Sequence, residues 1–380
     1  KYESLEKNYH SLQFAPGLFL KNPIPNEYVT KRLVLKFRVC NSSDSSASAW
    51  FFPGYFFQEI KLYNADSDQL KELPSVVPAG KNEISSKKIT LPAHDSMIIL
   101  VELLPLKTYT NSLRPRLIQP LYLNSFIAVQ HSEDRAENIV TYIFCGLLLM
   151  MIFFSLANYL QGSNPEFLYY SGYAFFLGLM LFLKALLDLR TNSFSFFMES
   201  YLDFVMQGAG IVFYMAFMKK FLETKIKYRF LYHLYNGGIV MLILSLLLYS
   251  YAYYFNDNFS LQNGIENLTK LLLLVMVVVF LIYSLRQRQD RLLWYLFWGN
   301  LCLLFFSLIS QFSILFTSLL QNISGVLGSG IFYYEIGILL ELLFFLQALS
   351  YKNRRQLIEE TKEKERLIAA NKVMEYEKEL

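Results

Sequence analysis

Seven stretches of about twenty apolar residues dominate this chain, near positions 139–160, 167–187, 200–218, 230–251, 268–285, 292–316 and 328–350. A helix needs ~20 mainly apolar residues to cross ~30 Å of hydrocarbon. One or two such segments fit inside a soluble helical core; seven in succession would need a very large protein to cover them. Composition agrees, with 54% apolar and only 17% charged side chains among 380 residues, where a soluble domain carries about 25% charge. The 17 Gly, 11 Pro and 3 Cys exclude collagen, general disorder and a disulfide-stapled miniprotein. A net charge of +4 gives no reason to expect a nucleic-acid partner. The partner the composition demands is a lipid bilayer.

The loops orient the spans. Lys219, Lys220, Lys225, Lys227 and Arg229 follow the third span, Arg286, Arg288 and Arg291 follow the fifth, and Lys352, Arg354 and Arg355 follow the seventh. The stretches 252–267 and 317–327 contain no Lys or Arg. Basic residues accumulate on the cytoplasmic side, so the expected topology puts the first ~138 residues outside and the C-terminal segment in the cytoplasm. Tyr169, Tyr170, Tyr253, Tyr254 and Trp294 fit interfacial belts.

Before the first span the hydrophobic period changes to two. Leu33, Leu35, Phe37 and Val39 alternate with Val34, Lys36 and Arg38, and 57–63, 85–91 and 97–103 have the same character. Turn signals separate them at 41–48, Pro53-Gly54, 64–66, 78–80 and 92–95. The spacing predicts an all-β sandwich, preferably a jelly roll. Cys40 is its only cysteine, so no disulfide framework is expected. An exported domain needs a targeting signal, and the chain opening at Lys1 is expected to have had one removed or left out. The domains expected are therefore a β-sandwich over 1–138, a seven-helix bundle over 139–350 and a helical linker over 351–380.

The linker, from 352 onward, carries eight basic and seven acidic residues among 29, without Pro or Gly, and continues the last span. A seam through Leu357, Leu367 and Met374 fits a marginal two-stranded coiled coil that would pair two copies of the chain. A solvated single helix is the alternative.

This order of parts resembles the bacterial seven-transmembrane receptors with diverse intracellular signalling modules. The aromatic run at 50–63 (WFFPGYFFQEIKLY) is similar to that family's outer domain. So are the first hairpin (LLLMMIFFSLANYLQGSNPEFLYYSGY), the third-span exit (FMKKFLETK) and the last span (GILLELLFFLQALSYKNR) with Gly337, Glu341, Phe345, Ala348, Leu349 and Arg354. The resemblance implies a periplasmic sensory jelly roll, a bundle in the inner membrane and a cytoplasmic output domain or partner reached through the coil. The strand region VELLPLKTYTNSLRPRL departs from the family's pattern.

Catalysis has little to work with. The four histidines are His10, His94, His131 and His233, none at mid-membrane depth, and no glycine-rich nucleotide loop or paired-Asp metal site is present. No enzyme activity, metal or cofactor is expected. A retinal-type Schiff base would need a Lys deep in the last span, which has none before Lys352.

Four groups of residues remain as candidates. Trp50, Phe51, Tyr55 and Phe56 offer rings that stack on sugars or other flat ligands, although a strand turns half of such rings into the core. Glu335 and Glu341 are costly in hydrocarbon and call for partners, with Asn300, Gln311 and Gln347 as the polar groups in reach. They would serve as a relay or simply set helix register. Lys184, Asp188, Glu199 and Asp203 would pair between the second and third spans or snorkel to the interface. Leu357, Leu367 and Met374 would line the dimer coil. The expected function is a receptor that passes a small-molecule, carbohydrate or protein signal through the last span. A proton-coupled transporter using Glu335 and Glu341, or a scaffold that senses nothing, is the alternative.

Overall fold

A computed structural model of the chain describes residues 12–14, 24–66, 70–76, 85–108, 111–162, 164–188, 190–256, 258–287, 290–315 and 326–379. His10, the turn at 78–80 and most of the loop at 317–327 lie outside these residues.

Seven strands are described: β1 (Leu33–Cys40), β2 (Ala47–Tyr55), β3 (Phe57–Asn64), β4 (Lys71–Glu72), β5 (Lys87–Leu91), β6 (Ser96–Pro105) and β7 (Ser112–Ile118). They form two antiparallel sheets, ordered β1-β6-β3-β4 and β5-β2-β7. Alternate positions of the two sheets share one core: Phe51, Ile89 and Leu113 from the second meet Phe57, Ile60, Leu62, Ile99, Val101 and Leu103 from the first. Phe37 stacks on Phe51 with ring centroids 5.5 Å apart. A jelly roll has eight strands; seven lie among the described residues.

Strand β2 pairs irregularly with β7. The register with β7 shifts between Phe52 and Gly54, and Gly54 adopts φ +127°, where a Cβ would stand 2.0 Å from the Ser112 carbonyl oxygen. Only glycine fits there. Phe51 and Phe52 are both buried, at 1% and 3% exposure. Phe51 faces the sandwich core. Phe52 faces a second cluster with Ile118, Leu123 and Ile127, against which Trp50, Tyr55 and Phe126 pack. This three-stranded sheet is therefore covered on both faces, the second by the start of the first long helix.

Seven helices are long and apolar enough to cross a membrane. They are α1 (Leu123–Gly162), α2 (Pro165–Leu187), α3 (Ser193–Phe221), α4 (Arg229–Phe255), α5 (Phe259–Arg286), α6 (Arg291–Leu315) and α7 (Gly330–Glu379). At most 39% of any span's most apolar window is buried inside the protein. Phe153, Leu244, Val275 and Phe305 are at least half exposed at mid-helix. Water does not tolerate so continuous an apolar surface, and hydrocarbon does. The chain is a membrane protein.

Two compact bodies divide the chain. One contains the β domain with residues up to 157, 170–214 and 240–269; the other contains 158–169, 215–239 and 270–380. Phe259 at the start of α5 is buried with the sandwich core, which ties the β domain to helices of its own body. In the other body α6 and α7 pack closely. A Cβ at Gly299 would lie 3.3 Å from the Glu341 carbonyl oxygen and 3.2 Å from Phe344 Cβ, so a small residue brings these backbones together. Neither 138/139 nor 350/351 is a structural break, because α1 and α7 run through them.

Candidate functional site

In the body that carries the β domain, the ion pair between the second and third spans is present. Lys184 Nζ on α2 lies 2.7 Å from Asp203 Oδ2 on α3. The other two acids of that group turn elsewhere. Asp188 Oδ2 accepts from Asn138 Nδ2 of α1 at 3.1 Å, and Glu199 Oε1 accepts from Thr108 Oγ1 of the β6–β7 loop at 3.2 Å. Three helices and the β domain thus meet through polar side chains. Beside this contact the fully buried Asn111 donates to the Leu106 and Thr108 carbonyls at 2.7 and 2.9 Å.

Glu199 belongs to a π-helical turn, Met198–Leu202, inside α3. Helix α3 starts cleanly, with the Asn192 side chain accepting from the Ser195 amide at 2.7 Å. The wider turn that follows redirects backbone carbonyls from the regular ladder, and such turns recur at functional positions. The Ser200 carbonyl accepts from Tyr249 Oη at 3.1 Å and from Gln262 Nε2 at 2.9 Å, and Gln262 also donates to Tyr249 Oη at 2.9 Å. Gln262 is 2% exposed. Tyr201 stacks between Tyr249 and Tyr253 and exchanges a 2.9 Å hydrogen bond with Ser250. The buried polar triangle at Ser200 thus lies one residue from the contact that Glu199 makes with Thr108.

In the other body the polar centre is Lys352 on α7. Its Nζ donates to Glu166 Oε1 of α2 at 2.9 Å and to the Phe221 carbonyl that ends α3 at 2.9 Å, and it lies 3.7 Å from Glu223 Oε1. The Lys352 and Glu166 side chains are 12% and 10% exposed. Taking such a pair out of water is costly, and three oxygens around one ammonium are what offsets it. The Phe221 carbonyl is one that the helix end leaves without an intrahelical donor. Glu223 adopts φ +49°, which is strained for a residue with a Cβ, and it also accepts from Lys227 at 2.8 Å. The hydrogen bond from Lys227 holds the Glu223 carboxyl below the usual carboxylate range, against an opposing push from burial. Nearby, Tyr228 donates to Asp290, whose other oxygen caps α6 through the Leu292 amide at 2.9 Å. Burial first, then that bond, pushes the Tyr228 hydroxyl well above its ordinary value.

The remaining candidates fall as follows. Phe51 is in the sandwich core, Trp50 packs on the α1 cluster, and Phe56 is half-buried at φ +61°. Tyr55 lines a groove between β7 and α1 together with Phe52, Arg114, Arg116 and Phe126. Glu335 and Glu341 are buried at 3% and 0%, and Asn300 is buried at 1%, giving its amide to the Leu296 carbonyl one turn back at 2.9 Å. Gln311 and Gln347 are exposed on their helices. Leu357, Leu367 and Met374 are 64%, 59% and 54% exposed along α7. Among the described residues no group of three His, Cys, Asp or Glu is placed to hold a metal ion.

Sequence reasoning missed Glu166, Glu223 and the π-turn. A signal was available for Glu223, a carboxylate in a loop that otherwise collects Lys and Arg; Glu166 follows a stretch, 162–165, without basic residues and had none. Residues 137–352 match the model of a family described as 7TM diverse intracellular signalling. No curated protein matches the chain.

Proposed function

The chain belongs to the 7TM diverse intracellular signalling family, and from that premise we propose that it is a receptor of the bacterial inner membrane. It senses a ligand with a periplasmic β domain and reports through α7 to a cytoplasmic output module or partner. The observation that carries this reading is the latch on α7. This helix continues without a break from the bundle into an exposed segment, and Lys352 clamps it where the two regimes meet. A ligand that shifts the β6–β7 loop would act on Glu199 and the π-turn of α3. Displacing α3 would withdraw the Phe221 carbonyl and Glu223 from Lys352 and free α7 to turn or slide. The exposed Leu357, Leu367 and Met374 would then meet a second copy of the chain in a coiled coil whose register carries the signal. Glu341 and Asn300, buried where α6 and α7 approach, would set which α7 packing is favoured. The orientation is supported by the basic residues that follow α3, α5 and the membrane part of α7.

Cysteine crosslinking in native membranes tests it. Cysteines introduced at Leu357, Leu367 or Met374 of the full chain should crosslink between copies, and Lys352→Met should change which positions react. Absence of crosslinks at all three positions, or an identical pattern with and without Lys352, would sink the proposal.

A further inference from the structure

The groove between β7 and α1 has the size of a small-molecule site and an unanswered charge. Its volume is about 750 Å³, within the ~300–1,000 Å³ typical of small-molecule sites. Arg114 and Arg116 of β7 both line it, on either side of Pro115, where the ladder with β2 shifts register. Both are exposed, and neither makes an ion pair among the described residues. The Arg116 guanidinium lies 5.8 Å from the centre of the Phe126 ring on α1, which holds it over the groove. The described lining contains two arginines, the neutral donors Gln119, Ser125 and Gln130, four aromatic rings, and no Asp or Glu. A second groove, beside β3 and β4, differs. It is lined by Glu59, Lys61, Glu72 and Lys87, and Lys61 already pairs with Glu59 at 2.8 Å.

From this lining we infer that the β7–α1 groove binds a small soluble organic oxyanion: a carboxylate-bearing or sulfate-bearing ligand whose ring or apolar face lies on Phe52, Tyr55 and Phe126. Guanidinium groups pair with planar oxyanions through two parallel hydrogen bonds, and the rings supply flat apolar area for the rest of the molecule. A lipid headgroup is a poor occupant. The helix residues that line the groove lie nine to seventeen residues before Ile139, where the apolar span begins. At 1.5 Å per residue that is roughly 14–25 Å from the hydrocarbon, beyond a headgroup layer of about 5–8 Å. The site rests on the sensory reading above and deepens it, because a ligand held there touches both the sheet and the first turns of α1.

The experiment uses the full chain in nanodiscs of neutral lipid, with Trp50 emission and calorimetric titration as readouts. The probes are a panel of acidic oligosaccharides and aromatic carboxylates, each beside its neutral counterpart. At least one acidic probe should bind, more weakly as salt is raised, while its neutral counterpart does not. Arg114→Gln and Arg116→Gln should each weaken that probe about tenfold without moving the melting temperature, and Arg116→Lys should restore part of the loss. No response across the acidic panel, equal binding of neutral counterparts, or unchanged affinity in both Gln variants would overturn the site. Binding seen only when anionic lipid replaces neutral lipid would overturn it in favour of a headgroup. None of these failures touches the Lys352-dependent crosslinking, which reads the receptor proposal without ligand.

Discussion

Lys352 Nζ lies 2.9 Å from Glu166 Oε1 across 186 positions of sequence, and both side chains are nearly buried. This bond fastens the helix that leaves the bundle to the start of the second span. Removing one partner strands the other's charge, and that loss exceeds what the intact pair is worth.

Lys352→Met and Glu166→Gln should each destabilise the chain by about 3 kcal/mol, and the double variant should cost less than the two combined. Thermal unfolding in detergent across this double-mutant cycle measures the coupling, and strictly additive effects would remove the pair from the account.

Glu223 makes the same region sensitive to acid. Its carboxyl is held below the usual range by the Lys227 hydrogen bond and by the charges of Lys227 and Lys352. The native state therefore binds fewer protons than the unfolded state. The stabilisation is present above the ordinary carboxylate pKa and is lost as pH falls through the lowered native value. Melting temperatures of the wild type should drop more steeply below about pH 4.5 than those of Glu223→Gln; parallel curves would contradict this.

Glu341 and Asn300 lie inside the α6–α7 contact, at 0% and 1% exposure. Hydrogen bonds between membrane helices couple by about 0.6 kcal/mol on average. A cycle of Glu341→Gln and Asn300→Leu should give a coupling of that order, while Gln311→Leu and Gln347→Leu, at exposed positions, should give none.

Gln262 supports the π-turn with two donated bonds. Gln262→Leu leaves a buried carbonyl and hydroxyl short of a donor and should cost about 1–3 kcal/mol. Thr108→Val removes the hydroxyl that donates to the half-buried Glu199 and should lower the melting temperature less than Gln262→Leu does. Under the receptor proposal it should also weaken the crosslinking response to ligand, and an unaltered response would discard the loop as the entry point.

Phe51→Ala and Tyr55→Ala separate packing from binding in the aromatic run. Phe51 fills the sandwich core, so its truncation should cost about 3–5 kcal/mol in a denaturation assay. Tyr55 lines the groove, and its truncation should leave the β domain folded.

The seven spans were readable because lipid imposes a length and a polarity that no neighbouring residue can override. Strands β1 and β3 were readable because most of their period of two survives, and β6 because its apolar run is long, although Leu100 and Tyr63 are buried together on the other face of that sheet. Strand β2 was legible as a strand but not in its packing, since Phe51 and Phe52 are buried on opposite faces and the second cover, α1, is an element far along the chain. Lys352 stood out in the sequence only as a basic residue after the last span; its partners are set by helix packing, which no local pattern records. Lys184 and Asp203 were legible as a group, because spans joined by a short turn must place their adjoining ends together. The π-turn had no signature at all; one extra residue per turn leaves the apolar pattern of α3 intact.

Helix α7 has no joint between Gly330 and Glu379. An α-helix couples advance to rotation, ~1.5 Å for every ~100°, so under the receptor proposal a screw motion of one residue at Glu341 would also turn Met374. That far end would then present a different stripe of side chains to whatever stands beside it. Under the receptor proposal, torque and displacement along this rod would be one event, and a neighbour tuned to either would read it.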